Sequence, residues 1–380
     1  MPTAKQKADH RRWLVELTGI PTAAGREDHV IDWVTGWVRK RRNVRLRRDP
    51  SGNLVITRVG RAPVHPVFIT AHIDHPAFVV RKVLSDRDVE LEFRGGVHDP
   101  YFESAAIEVV DADGDTHRAV ITKLDGKAKP FKRVIARLGR PAAVAAGDIA
   151  RWAFKGRGRK PTIFEGRLYA PACDDLAGVA AALAAFDVLR NRRDGASFGV
   201  LLTRAEEVGF IGAIAACKSH TVTKRARLLC LENSRSFAES PIGNGPILRV
   251  GDRLSVFSPQ LTNRLCHLVD EYQKTHPRLK VQRKLMPGGA CEATTFGAYG
   301  YEATCVCLPL GNYHNMVDID GVQAGKRPAR VAPEIISVDD YHGMVEVLVH
   351  VAPRLDEPWA CHIETRLERL YRERGHLVGA

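Results

Sequence analysis

No stretch of this 380-residue sequence approaches the run of about eighteen apolar residues that a membrane-spanning helix requires. The opening segment Met1 to Arg12 carries Lys and Arg but leads into no apolar run of the export-signal kind. A soluble, cytoplasmic protein with no membrane partner is expected. Cysteine is poor in pattern: Cys173, Cys217, Cys230, Cys266, Cys291, Cys305, Cys307 and Cys361 include no C-x-x-C pair. Most lie within apolar segments, as reduced buried thiols do, so no disulfide framework is expected. Cys305 and Cys307 stand two apart in a strand-like run and lack the second pair that a zinc site of this type needs. The chain shows no internal repeat, and no aromatic-interleaved module of the RNA-binding type.

What is present points to a folded enzyme-sized chain. Apolar residues make up 44% of the sequence, and the length predicts two domains or one large α/β domain carrying an insertion. The net charge of +13 is uneven, with thirteen Lys or Arg between His117 and Lys160 against only Asp125 and Asp148. A second basic cluster runs from Arg39 to Arg48. Such fields attract nucleic acid, acidic peptides or an acidic neighbouring subunit, or they form a solvated basic face. Without an RNA-binding module, nucleic acid is not expected as a partner.

Trp13, Leu14 and Leu17, then Val30, Ile31, Trp33, Val34, Trp37 and Val38, fall at helical spacing on either side of Gly19-Ile20-Pro21 and predict two amphipathic helices. Asn53 to Val59 and Val67 to Ala71 read as strands, the second stopping before His72. Leu176 to Leu189 reads as helix, Phe198 to Thr203 as strand, Gly209 to Cys217 as helix and Arg227 to Leu231 as strand. This alternation predicts an α/β fold with a mostly parallel central sheet flanked by helices. Between Phe78 and Gly166 the pattern changes to short strands such as Val89 to Phe93, Ala106 to Val110 and Arg118 to Ile121, separated by turns such as Asp111-Ala112-Asp113-Gly114. The expected organisation is a discontinuous catalytic domain, residues 1–77 and 167–380, interrupted by a small β-rich domain at 78–166. Leu261 to Thr275 and Asp339 to Val351 then read as helices, Leu279 to Arg283 and Thr304 to Leu308 as strands.

Seven acidic or imidazole residues sit at the ends of these apolar runs. His72-Ile73-Asp74 follows a strand, and a carboxylate can hold the second ring nitrogen of a metal-bound His; the plain alternative is a turn in which Asp74 caps the backbone. Asp174-Asp175 opens a helix, where two acids serve as caps or as a carboxylate bridging two cations. Glu206-Glu207 lies between a strand and a helix, and adjacent carboxylates repel unless a cation neutralises them. One can bind metal while the other faces an attacking water. Glu232 ends the run Leu228 to Leu231, and His314 lies just beyond the strand Thr304 to Leu308. Open α/β sheets bind ligands outside the carboxyl ends of their strands, so these residues are aimed at one rim.

The segments TAHIDHPAF, ACDDLAGVAA, TRAEEVGFIGA, CLEN and GNYHN resemble those of the co-catalytic dinuclear zinc aminopeptidases, above all the tetrahedral-aminopeptidase family. The resemblance implies hydrolysis of N-terminal peptide bonds with two divalent ions, zinc first, with cobalt and manganese also fitting the donor set. It implies His72 and Glu232 at opposite metals, Glu207 and His314 completing the two sites, and Asp174 bridging them. It also implies Asp74 orienting His72, Glu206 as general base, and a cis Asp174-Asp175 bond. The 102 positions between His72 and Asp174 favour this type, which carries a β-rich domain there. His75, Leu176, Ala205 and Glu232 depart from it, standing where Glu, Arg, Gln and Asp are usual. Peptide is the expected substrate and a homo-oligomer, dimer or dodecamer, the expected assembly. Two other readings are a metal-dependent amidohydrolase or deacylase of small amides, and a basic nucleic-acid- or protein-binding pseudoenzyme.

Overall fold

The computed structural model describes residues 2–60, 66–191, 198–359 and 362–379. An eight-stranded sheet runs in the order Val44–Arg48, Leu54–Arg58, Phe198–Thr203, Val67–His72, Arg227–Arg235, Glu302–Leu310, Ile247–Asp252 and Gln282–Met286. Its central strands are buried on both faces and read as unbroken apolar runs; every residue of Val67–His72 is buried. Helices cover both faces. Ala4–Leu17, Asp28–Arg39, Leu176–Leu189, Pro259–Thr275 and Val338–Val351 pack into one core, and Ile211–Lys218 and Glu292–Ala298 into another. The helix Leu176–Leu189 is built of Ala, Leu and Val and is buried almost all round, as an interior helix must be.

The expected parallel sheet is found in part. It is mixed: the four strands Phe198–Thr203, Val67–His72, Arg227–Arg235 and Glu302–Leu310 are mutually parallel, but Val44–Arg48 and Leu54–Arg58 meet their neighbours antiparallel, and Ile247–Asp252 is antiparallel to Glu302–Leu310 while parallel to Gln282–Met286. Val44–Arg48 and Leu54–Arg58 are joined by a short turn, too short for the crossover a parallel pair needs. The parallel character is concentrated where the candidate ligands lie. The strand Arg227–Arg235 also runs past Leu231, so Glu232 is within it and not beyond its end.

Between Ala77 and Trp152 six strands close into a barrel, in the order Ala77–Val83, Asp88–Arg94, Lys132–Leu138, Thr116–Asp125, Ala106–Val110 and Ile149–Trp152. Phe78, Phe93, Phe102 and Trp152 fill it with tilted and edge-on ring contacts at 4.8–6.0 Å. The basic segment that stood out in the sequence meets acids contributed by earlier parts of the barrel segment. Asp88 pairs in register with Arg137, and Glu92 with Arg133, while Lys132 bonds Asp99 and Arg159 lies 3.5 Å from the buried Glu108. A third small sheet, Thr162–Phe164, Arg167–Ala170 and Glu334–Ser337, sets Ala170 opposite Glu334. The seven cysteines among the described residues are unpaired and buried; Cys361 lies outside them. No described helix is long and apolar enough to cross a membrane.

Candidate metal centre

All seven residues singled out from the sequence converge on the carboxyl rim of the parallel strands, and all but Glu207 are buried. Asp174 lies at the centre. Its Oδ1 is 3.4 Å from His72 Nε2 and its Oδ2 is 3.5 Å from His314 Nε2. His72 Nε2 is 3.7 Å from Glu232 Oε1, and His314 Nε2 is 3.3 Å from Glu207 Oε1. These gaps are wide for direct hydrogen bonds. Three of them match the roughly 3.3–3.6 Å between ligands of a tetrahedral ion bound at about 2.0–2.2 Å, and the His72–Glu232 gap of 3.7 Å lies just beyond it. Two clusters result, His72–Asp174–Glu232 and Asp174–Glu207–His314, with a third grouping of His72, Glu206 and Glu207 beside them. His72 and Glu232 therefore share one cluster, where the resemblance had set them at opposite ions. Asp174 Oδ1 and His314 Nε2 have no hydrogen-bond partner among the described residues although both are buried, and a cation satisfies such atoms.

A layer of partners fixes the cluster. Asp74 Oδ1 and Oδ2 accept the backbone N–H groups of Glu206 and Glu207 at 2.9 and 3.1 Å. The Nδ1 of His72 is nearer the Asp74 carbonyl, at 3.1 Å, than its carboxylate, at 3.6 Å. Asp74 thus anchors the double-Glu loop first and the imidazole second. The Nδ1 of His314 is 2.8 Å from the carbonyl of Gly96, on the loop that follows the barrel strand Asp88–Arg94. Four further partners hold the site, and all but His75 lie outside the segments singled out in the sequence. Glu334, fully buried, accepts from the N–H groups of Cys173, Asp174 and His314 at 2.6, 3.0 and 2.9 Å. Glu27, also fully buried, accepts from Ala205 N–H and pairs with Arg204 at 2.7 Å. His75, one of the departures noted above, has Nδ1 2.5 Å from the Asp174 carbonyl. Gly96 contributes only backbone. The Asp174-Asp175 bond is cis, as the resemblance implies.

The electrostatics fit the same picture. Burial disfavours charge on His72, yet Glu206, Asp174, Asp74 and Glu232 outweigh it and hold its pKa well above the ordinary value. His314 behaves alike, burial being overcome by Glu207 and Asp174. Asp174 is pulled well below the carboxylate range by the two imidazoles despite its burial. Glu206 and Glu232 are pushed well above it, by burial first and then by neighbouring acids. A crowd of buried carboxylates that otherwise holds protons is a site built to be neutralised by positive charge. Beside it opens a cavity of about 550 Å³, whose wall includes Glu232, His314, Tyr313, Phe237, Arg249 and Met286.

Residues 143–327, which carry five of the seven candidates, match the sequence model of the family described as M42 glutamyl aminopeptidase. No curated protein matches the sequence significantly. Among solved structures the fold is similar to a TET aminopeptidase from a marine-sediment Thaumarchaeota archaeon, with a TM-score of 0.74, 15% identity, and 92% of this chain and 97% of that one covered. It is also similar to an aminopeptidase from the archaeon Desulfurococcus kamchatkensis, at 0.71, 19%, 92% and 97%. The TET1 peptidase of Pyrococcus horikoshii gives 0.71, 16%, 90% and 99%. At such identities these three likenesses speak to the fold alone.

Proposed function

We propose that the chain is a TET-like M42 aminopeptidase, a reading supported by the family match over residues 143–327, and that it removes N-terminal residues from peptides at a centre holding two divalent ions. His72, Asp174 and Glu232 would hold one and Asp174, Glu207 and His314 the other, with zinc the first choice for this His and carboxylate set and cobalt or manganese also suited to it. The observation that carries the reading is the carboxylate of Asp174, whose two oxygens face two different imidazoles at ligand-to-ligand spacing. When bound, such ions polarise the scissile carbonyl and acidify water. Glu206, buried beside His72 and held by the Asp74 hydrogen bond to its N–H, takes a proton from the attacking water and passes it to the leaving amine nitrogen. Asp74 is a positioning residue for that base. The cavity next to Glu232 and His314 receives the substrate.

In the same proposal residues 1–77 and 167–380 form the catalytic domain and 78–166 an inserted one, a division supported by the closed barrel. Assembly into a homo-oligomer belongs to it as well; the Pyrococcus horikoshii TET1 peptidase can form a tetrahedron or a large octahedral shell. The test is metal analysis of the purified protein followed by a panel of aminoacyl and N-acylated substrates. Two ions per chain and cleavage only of free-amine substrates are expected. Cleavage of the acylated set in preference would move the assignment to the deacylases.

A further inference from the structure

We infer that Glu334 couples the two cation sites, setting the distance between the bridging carboxylate and His314. This rests on the two-ion reading above. Glu334 opens the edge strand Glu334–Ser337, opposite Ala170, and thereby stands between the two loops that end in ligands. One carboxylate oxygen, Oε2, accepts from Cys173 and Asp174; the other, Oε1, accepts from His314. Each oxygen is committed to a different ligand loop.

The loop it holds on the His314 side needs an outside anchor. Asn312, His314 and Asn315 have φ of 52°, 52° and 64°, a left-handed conformation that costs energy for residues other than Gly. The isolated bridge between Gly311 and Ile335 ties the start of this loop to the same strand. Asn315 donates to the carbonyls of Pro171 and Ala332, but no bond besides that of Glu334 fixes the His314 N–H among the described residues. Glu334 touches neither cavity nor candidate ion, so its effect on chemistry passes through the ligands.

Glu334→Gln makes the inference directional. A Gln amide has one accepting oxygen, and its NH2 is placed least badly against the single N–H of His314, keeping both bonds to Cys173 and Asp174. The His314 N–H loses its acceptor, while the Asp174 loop keeps both of its bonds. The Asp174–Glu207–His314 site should therefore weaken roughly 10–100-fold, the usual effect of losing an outer partner of a metal ligand, while the His72–Asp174–Glu232 site changes little.

The experiment titrates zinc into metal-free wild type and Glu334→Gln against a competing chelator, with kcat read along the titration and near-ultraviolet circular dichroism as a folding control. Wild type should take up two ions. The variant should take up one with near-normal affinity and a second 10–100-fold more weakly, and excess zinc should restore its kcat. Two unchanged affinities in the variant overturn the coupling role while leaving the two-ion reading intact. A single ion in wild type overturns the two-ion reading itself. If the Gln variant does not fold, Glu334→Asp serves: a carboxylate withdrawn by one methylene cannot span both ligand loops, so at least one of its two uptake steps must weaken roughly 10–100-fold, and two unchanged affinities overturn the coupling role.

Discussion

The perturbation that separates two tasks of one side chain is Asp74→Asn, with Asp74→Ala beside it. Asp74 is fully buried, and its carboxylate oxygens accept the N–H groups of Glu206 and Glu207 at 2.9 and 3.1 Å. Alanine leaves two buried donors without acceptors, each costing about 1–3 kcal/mol, so a loss of roughly 2–6 kcal/mol is expected. Asparagine keeps one accepting oxygen and turns an NH2 toward the other donor, so about half that loss is expected. Urea unfolding of the metal-free proteins measures this, the midpoint shifting with the slope unchanged. Since the same N–H groups hold the base and a ligand, kcat of the metal-loaded variants should also fall. If Asp74→Asn unfolds like wild type but loses one ion from the His72 side, the loop-anchoring argument is refuted and ring orientation is its task.

Other expectations follow from the same geometry. Glu206→Gln should keep both ions and lose about 10²–10⁴-fold in kcat, the range of a lost general base; near-normal turnover would remove that assignment. Glu207→Ala should lower metal content, measured by elemental analysis, because it deletes one of three donors in the His314 cluster. Gly212→Ala should destabilise by about 1–3 kcal/mol, since its Cβ would lie 2.2 Å from the Arg204 carbonyl oxygen in the loop leading to Glu206; an unchanged melting temperature would contradict it. His10 is buried, neither ring nitrogen has a hydrogen-bond partner among the described residues, and burial pushes its pKa down to about 4. Between pH 6.5 and 4 the unfolded chain takes up this proton and the folded chain does not. Stability should fall by up to about 3 kcal/mol as pH drops through that window, and be fully retained above it. His10→Phe should flatten this part of the stability curve.

Much of the site could be read from the sequence because each ligand sits where an apolar run stops, a signal carried by a few adjacent residues. His72 follows Val67 to Ala71, and Glu206 and Glu207 follow Phe198 to Thr203. The helices Leu176–Leu189 and Val338–Val351 were equally plain, their apolar residues packing against the sheet. The partners that hold the ligands were not. Glu334 acts on Asp174 across 160 positions, and Glu27 on Ala205 across 178. Neither lies in a motif, and a lone Glu looks like a surface group until the chain is folded. The direction of Ile247–Asp252 is similarly hidden, since period and composition are the same in parallel and antiparallel strands. The partners of the basic stretch are hidden for a related reason: the acids that face it, Asp88, Glu92 and Glu108, come earlier in the chain.

The carbonyl of Gly96 gives the barrel a stake in the chemistry that a mutational scan would pass over. The contact to His314 is made by main chain, and a Cβ at Gly96 would meet that ring no closer than 3.8 Å, so Gly96→Ala leaves it in place. Only displacement of the whole loop breaks it. Excising the barrel would accordingly yield no leaner peptidase, but one whose imidazole is free to swivel. Conversely, whatever grips or shifts the barrel from outside has a mechanical route to a single ring nitrogen.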